Sequence, residues 1–368
     1  RRGCENVNTY GEKMKITVFG QSHAPAIGVV IDGFPAGFRA DTEKLAEFMA
    51  RRAPGKSVYS TPRSEADAVK ILSGLNAQGR TSGAPICAVI ENTNVRSGDY
   101  GNLKRVPRPA HADFSAYAKY GSDYDVRGGG QFSGRLTAPL CIAGGLCMQY
   151  LELFGIKIGA HILSVGNARG RSFCAENPEL EKVSHGPLAV LEPSSEKLFS
   201  DEIMSARESL DSVGGVIECA VTGVRAGIGE PMFGGIENRL AQAVFAVPAV
   251  KGIEFGSGFA GSAMRGSENN DAFDIKDGRV FTKTNNHGGI LGGISSGMPI
   301  VFRAAIKPTP SIARAQESVD LENGRRVPLE IHGRHDPCIV PRAVPVIEAA
   351  AAITICDMIL EEENHEHK

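Results

Sequence analysis

An apolar run near the C-terminus, Ala343 to Leu360, restricts the fold of this chain more than any other segment. Pro345, Glu348 and Asp357 interrupt it, and a bilayer core penalises such side chains. The run therefore reads as a helix buried inside a soluble protein. A chain of 368 residues can supply the core that such a helix needs, either as two domains of about 150 residues or as one large α/β unit.

Charge narrows the partners. Forty Lys plus Arg against 42 Asp plus Glu leave a formal charge of -2, which excludes a diffuse basic surface for nucleic acid. An anionic ligand must be met by local clustering instead. The eight cysteines, at 4, 87, 141, 147, 174, 219, 338 and 356, form no C-x-x-C pair, as expected of reduced, buried thiols in a cytoplasmic protein. Arg1 to Asn8 has no apolar stretch and does not read as a secretory signal. Residues 1–9 are taken as an extension or cloning remnant, 10–362 as one domain and 363–368 as a polar tail.

The hydrophobic pattern predicts strands at Lys15 to Phe19 and Ile27 to Ile31, joined by the loop Gly20 to Pro25, then a helix capped by Asp41 and ending near Arg52. Further strands are predicted at Ile86 to Ile90, Val216 to Val221, Gly252 to Phe255 and Ile300 to Ile306, and helices at Leu136 to Phe154, Ile236 to Ala246 and Val344 to Leu360. Gly166 to Ser200, rich in Pro, Gly, Ser and charge, reads as a surface excursion. One short echo stands out: Gly33-Phe34-Pro35-Ala36-Gly37-Phe38 follows a strand and precedes a helix, as does Gly223-Val224-Arg225-Ala226-Gly227-Ile228. It hints at an internal duplication. The spacing lacks the rhythm of a doubly wound sheet.

Four constellations carry chemistry. Ala50-Arg51-Arg52-Ala53-Pro54-Gly55-Lys56-Ser57 approximates a phosphate-binding P-loop, but it follows a helix and contains Pro54, which has no N–H to donate. What survives is a basic helix end. His23, His111 with Asp113, and His332, His335 with Cys338 are residue types that ligate metal, which makes a metal-dependent phosphohydrolase the rival reading. The arginines in the same segments oppose a divalent cation. Arg108 to Asp113, Asp125 to Arg135 and Gly333 to Pro337 each join arginine to permissive or glycine-rich backbone, a pairing suited to carboxylates and phosphates. Asn285 to Gly297, which runs into Lys307-Pro308-Thr309-Pro310-Ser311, reads as a loop that lets a flat or phosphorylated ligand approach the backbone.

Together these segments resemble the chorismate synthase family in six blocks. They are Phe19 to His23, Arg51 to Gly55, Arg108 to Asp113 with Arg127 to Arg135, Gly227 to Pro231, Met264 to Glu268 with the Gly292 loop, and Gly333 to Cys338. The resemblance implies an α/β fold of the α+β type, a β-α-β sandwich with helices between antiparallel sheets, assembled as a homotetramer. It implies conversion of 5-enolpyruvylshikimate 3-phosphate to chorismate, a 1,4-anti elimination of phosphate that requires reduced FMN without net oxidation. By the same resemblance Arg52, Arg108, Arg135 and Arg334 hold the substrate's anionic groups, and Ser133, Ala249, Gly292, Lys307, Pro308, Thr309, Ser311 and Arg334 bind flavin. His23 is similar to the acid that protonates departing phosphate, His111 to the group that manages flavin protonation, and Asp336 to the carboxylate that takes the substrate proton, kept ionised beside Arg334. No metal is implied. Some relatives couple to NADPH; with no added reductase domain visible, an external reductant is expected.

The chain departs from the family pattern at a few places. Gln21 and Ala24 stand where Glu and Gly are common, Ala110 replaces Gly, Gln131 and Phe132 replace a pattern that begins with Arg, and Val58 stands where Arg is frequent. Altered affinity is the expected consequence. A flavin- or anion-binding protein without catalysis is the third reading.

Overall fold

The fold was derived from a computed structural model that describes residues 8–55, 59, 67–92, 105–184, 186–331 and 336–366. Among the described residues there are sixteen strands and eight α-helices, and ten of the strands form two five-stranded antiparallel sheets. The first sheet contains β1 (Thr9–Tyr10), β2 (Lys15–Gly20), β3 (Ala26–Asp32), β4 (Lys70–Ser73) and β5 (Ile86–Glu91), in the order β1-β2-β3-β5-β4. The second contains β6 (Lys157–Val165), β7 (Ala168–Arg169), β8 (Gly215–Thr222), β9 (Val250–Phe255) and a later strand, Ile300–Ile306. Between these last two strands lie the exposed hairpin β10 (Phe273–Lys276) and β11 (Arg279–Thr282) and the tight hairpin β12 (Ile290–Leu291) and β13 (Ile294–Ser295). The later strand is thus β14, and the second sheet has the order β7-β6-β8-β14-β9. A last hairpin pairs β15 (Gln316–Asp320) with β16 (Arg325–Leu329). The helices are α1 (Thr42–Arg52), α2 (Asp113–Tyr120), α3 (Thr137–Leu151), α4 (Pro193–Glu208), α5 (Ile236–Phe245), α6 (Gly258–Gly261), α7 (Gly266–Asn269) and α8 (Val340–Glu366).

Helices fill the space between the sheets. The α3 helix packs on β3 and β5, α8 packs on β6 and β8, and the two helices pack on each other, giving a sheet–helix–helix–sheet sandwich as expected from the resemblance. Both helices are long and apolar enough to cross a membrane, but the α8 segment Val340–Glu362 is 100% buried within the protein and Gly134–Phe154, which contains α3, 72%. Buried on nearly every side, they are the core rather than an amphipathic cover. Gly144 permits this layer: a Cβ there would lie 2.3 Å from the Cβ of Ala349 on α8. The interruptions in the apolar run are satisfied. Glu348 accepts from Arg51 at 2.7 and 2.9 Å and from the Ala160 amide at 2.9 Å, and Asp357 accepts from the amides of Glu12, Lys13 and Met14 at 2.6–2.9 Å. Buried charge is tolerated where every lone pair finds a donor.

The short echo marks a repeat of topology. The strand before Gly33, β3, is the centre of its sheet; α1 follows, then the edge strand β4, then β5, which inserts between centre and edge. The strand before Gly223, β8, is likewise central, and α5, the edge strand β9 and the inserted β14 follow in the same order. Gly33 and Gly37 (φ 77° and 84°) match Gly223 and Gly227 (85° and 95°) in left-handed conformation, the reason for glycine at both turns.

Two boundaries differ from expectation. Thr9 already pairs in β1, and α8 runs to Glu366, past the expected tail boundary. The excursion Gly166 to Ser200 is also not wholly a surface loop: Phe173, Val183 and Leu191 pack on Ala220 and Val301 of the second sheet, and α4 begins at Pro193. The seven described cysteines are unpaired, and burial pushes the thiols of Cys141 and Cys338 up to about 12, which leaves them unreactive.

Candidate active site

A cleft of about 560 Å³ opens where α1 and α5 end, a volume in the range of small-molecule and cofactor sites. Its walls come from Arg52, Arg108, Ala110 to Ala112, Gly128, Gln131 to Arg135, Ala246 to Ala249, Lys307, Thr309 to Ser311, Asp336 and the first turn of α8. Six separate stretches of sequence meet here, and the two repeats point the same helix ends at one place.

The cationic wall is built around two carboxylates. Arg52, on the last turn of α1 where the dipole favours a cation, is 1% exposed and reaches Asp67 through Nε at 3.0 Å and Nη2 at 2.7 Å. Arg135 also binds Asp67 and donates from Nε to Asn92 at 3.2 Å. Arg342 donates to Asp336 at 2.5 Å and, through Nε, to the Arg52 carbonyl at 3.1 Å. Burial lowers the Arg52 guanidinium to about 10, with Arg342 and Arg135 adding to the effect and Asp67 opposing it; it stays charged at neutral pH. Arg52, Arg135 and Arg342 set three guanidiniums along this wall, donors suited to carboxylates and phosphates.

The glycine turn separates two histidines. Gly128, Gly129 and Gly130 all have positive φ (60°, 86° and 54°), so each exposes backbone where an L side chain would be strained. A Cβ on Gly128 would meet Ser22 Oγ at 2.5 Å and His23 Nε2 at 2.8 Å, and one on Gly129 would meet His111 Nε2 at 3.3 Å. His23 thus lies against Gly128, outside the cleft lining, while His111 lines it. The loop that carries His23 is fixed by Ser22 N donating to Gly130 O at 3.1 Å and by Asn92 donating to Ala24 O at 2.8 Å.

His111 is oriented by a carboxylate. Its Nδ1 lies 2.6 Å from Asp113 and 3.1 Å from Arg108 Nη2, and its Nε2 faces Gly129. Asp113 is gripped by Arg108, Nε at 2.7 Å, Nη2 at 2.8 Å and the backbone amide at 3.0 Å. Burial alone would raise this carboxyl, but the Arg108 and His111 hydrogen bonds hold it well below the usual carboxylate range. Arg108, expected as a direct anion binder, therefore spends most of its fork on Asp113 and gives only Nη1 to Ser311 at 3.3 Å.

Another part of the lining, Ala246 to Ala249, is apolar. Ala249 has φ 74°, a left-handed conformation unusual for alanine, and its carbonyl accepts from the Lys307 amide at 2.9 Å. Lys307 Nζ donates to the carbonyl of Ala110, itself at φ 58°, and burial lowers its ammonium, with Lys251 contributing. Thr309 Oγ1 is buried without a protein partner, a polar atom free to serve a ligand. An apolar stretch with a cation, an unpaired hydroxyl and Ser133 in the same lining fits a flavin and its phosphate.

Of the expected residues, Arg52, Arg108, His111, Ser133, Arg135, Ala249, Lys307, Thr309, Ser311 and Asp336 line the cleft. Pro308 and Gly292 do not; Gly292 sits at the exposed turn of β12 and β13 beside the start of α5, and α5 is about 15 Å long at 1.5 Å per residue, which separates the two ends. Arg334, with His332 and His335, lies outside the described residues. Among the described residues no three His, Cys, Asp or Glu side chains converge as metal ligands, and Asp113 of the rival set is committed to Arg108 and His111. Asp67 and Arg342 were missed. Asp67 has no motif around it, whereas Arg342 had a signal: a cation in the first turn of an apolar helix, where the dipole opposes it.

Residues 14–360 match the family described as Chorismate synthase. The chorismate synthase of Lancefieldella parvula is 46% identical over 365 residues, covering 96% of both chains, and that of Methanocella arvoryzae is 47% identical over 353 residues, covering 96% of this chain and 94% of its own. A solved structure, a crystal structure of chorismate synthase, has a TM-score of 0.74 at 28% identity and covers 96% of this chain and 93% of that one. Sequence and fold agree over almost the whole length, and this chain belongs to the chorismate synthase family, carbon–oxygen lyases acting on phosphates.

Proposed function

We propose that the chain eliminates phosphate from 5-enolpyruvylshikimate 3-phosphate to give chorismate, using reduced FMN. The reading is carried by one observation: a single cleft joins a cationic wall, His111 and an apolar stretch, with His23 packed behind the glycine turn against Gly128. Arg52 and Arg135 hold the anionic groups of the substrate, and Arg334 belongs to the same proposal by family resemblance. Asp336 takes the ring proton as the carbon–oxygen bond to phosphate breaks; the electron pair of the C–H bond moves through the ring, and the oxidation level of the substrate and product together is unchanged. His23 donates to the departing phosphate, and His111, held by Asp113, manages the proton on the cofactor. Ser133, Ala249, Lys307, Pro308, Thr309 and Ser311 hold FMN, with Gly292 proposed for the same role by resemblance. When bound, reduced FMN supplies an electron-rich surface beside the electron-poor ring.

Self-assembly into a homotetramer accompanies this reading. Phe233, Phe259, Met232, Ile275 and Phe273 are 66–87% exposed, more apolar surface than a monomer usually leaves open. Light scattering should give four times the chain mass. The protein is proposed to be cytoplasmic and to draw on an external flavin reductant.

The decisive assay is anaerobic turnover with dithionite-reduced FMN, with and without chelator. Chorismate formation insensitive to chelator is expected; flavin-independent phosphate release abolished by chelator would establish the metal hydrolase instead. Turnover with NADPH alone under air should be absent, and its presence would overturn the external reductant.

A further inference from the structure

We propose that Arg342 is a positioning residue for the elimination: it holds the Oδ2 oxygen of Asp336 at the cleft wall. This rests on the reading of Asp336 as the proton acceptor. Arg342 stands in the first turn of α8, where the helix dipole disfavours a cation, and nothing acidic occupies that turn. Its guanidinium is held at both ends, Nη1 to Asp336 Oδ2 at 2.5 Å and Nε to the last carbonyl of α1 at 3.1 Å. The two side chains are 23% and 11% exposed.

The backbone around the pair is anchored as well. The Pro337 carbonyl accepts from the Val213 amide at 2.9 Å, and the Arg342 amide donates to Ile339 O at 3.1 Å. Arginine suits this task because its planar guanidinium can be anchored through Nε while Nη1 aims at one carboxylate oxygen, a two-ended hold that an ammonium cannot give. Its partner separates Arg342 from its neighbours: Arg52 and Arg135 bind Asp67, whereas Arg342 binds Asp336.

A double-mutant cycle of Arg342→Met and Asp336→Asn tests this, with kcat and KM measured under anaerobic conditions and oxidised-FMN binding followed by fluorescence quenching. Arg342→Met is expected to lower kcat about 30- to 100-fold, the scale of a misplaced reacting group, with KM and FMN affinity within about threefold. The kinetic isotope effect on substrate deuterated at the proton that leaves should rise. In the Asp336→Asn background the same change should cost less than about twofold. A full penalty in that background, or a raised KM at unchanged kcat, overturns the proposal and makes Arg342 a substrate ligand or a support of the fold. Near-normal turnover of Asp336→Asn alone sinks the reading of Asp336, and with it this role. If Arg342→Met does not fold, Arg342→Lys, which keeps the charge and loses the fork, enters the same cycle with the same criteria.

Discussion

The two halves repeat one topology and end it differently. In the first, the helix after the central strand closes on Arg51 and Arg52, and Arg52 is drawn into a buried network with Asp67. In the second, the equivalent helix closes on Phe245 and leads through Ala246 and Val247 to Ala249, small and apolar. The repeat sets where two helix ends meet, and the residues placed there decide which wall binds charge and which receives a flat ring. A duplicated scaffold thus yields an asymmetric cleft without any change of strand order.

Mutations at the two ends should separate these roles. Arg52→Met, at the charged end, leaves a buried carboxylate with one partner fewer; a loss of about 3–5 kcal/mol in denaturant unfolding and about a 100-fold rise in the substrate KM are expected. If KM stays within threefold, the charged end does not bind the substrate. Ala249→Val, at the apolar end, puts a branched side chain on a left-handed residue, so oxidised-FMN affinity should fall at least about tenfold while unfolding shifts by about 1–2 kcal/mol. An unchanged flavin titration would place the ring elsewhere. Between the ends, Gly128→Ala drives a Cβ into Ser22 and the His23 ring; about tenfold lower kcat and about 1–3 kcal/mol lower stability are expected, and wild-type turnover would remove His23 from the reaction.

A smaller test compares the His–Asp pair of each half. Asp271 accepts from His287 Nδ1 and from the amides of Asn286 and His287, both at 2.8 Å; burial alone would raise this carboxyl, but these bonds and Thr284 lower it to about 2. A carboxylate lowered on folding stabilises above its unfolded pKa, about 3.9, and that contribution is lost as pH falls toward about 2. Asp271→Asn should therefore flatten the stability curve between these values by about 1 kcal/mol, after allowance for solvent screening. Asp113 should behave in the same sense at lower pH. Thermal melts at stepped pH check both. The smallest effect is expected of Ala110→Gly, which relieves a left-handed alanine and should raise unfolding stability by about 0.5 kcal/mol.

Local signals made much of this legible. Asp41 caps α1 as expected, accepting from the Glu43 and Lys44 amides, and the predicted strands fall within a residue or two of those found. The echo at Gly33 and Gly223 was readable because left-handed turns demand glycine wherever they recur. What the sequence hid were pairings across long separations. Nothing near Asp67 reveals that it joins Arg52 to Arg135, 68 residues on, and nothing in the Arg108-Pro109 motif shows that the arginine is spent on Asp113 rather than on a ligand. Arginine beside glycine announces an anion site; which arginine remains available is settled by the carboxylates that the fold brings up to it.

The placement of α8 has a consequence for biogenesis. It follows every other element in the chain, yet it is the layer on which α3, α5, β6 and β8 all close. A nascent chain on the ribosome can pair both sheets and still lack the slab that separates them, leaving two oily faces exposed until its last segment emerges. Neither repeat can act as an independent folding unit under these terms. A calorimeter should see one transition, and truncation before Val340 should give aggregation rather than two half-proteins.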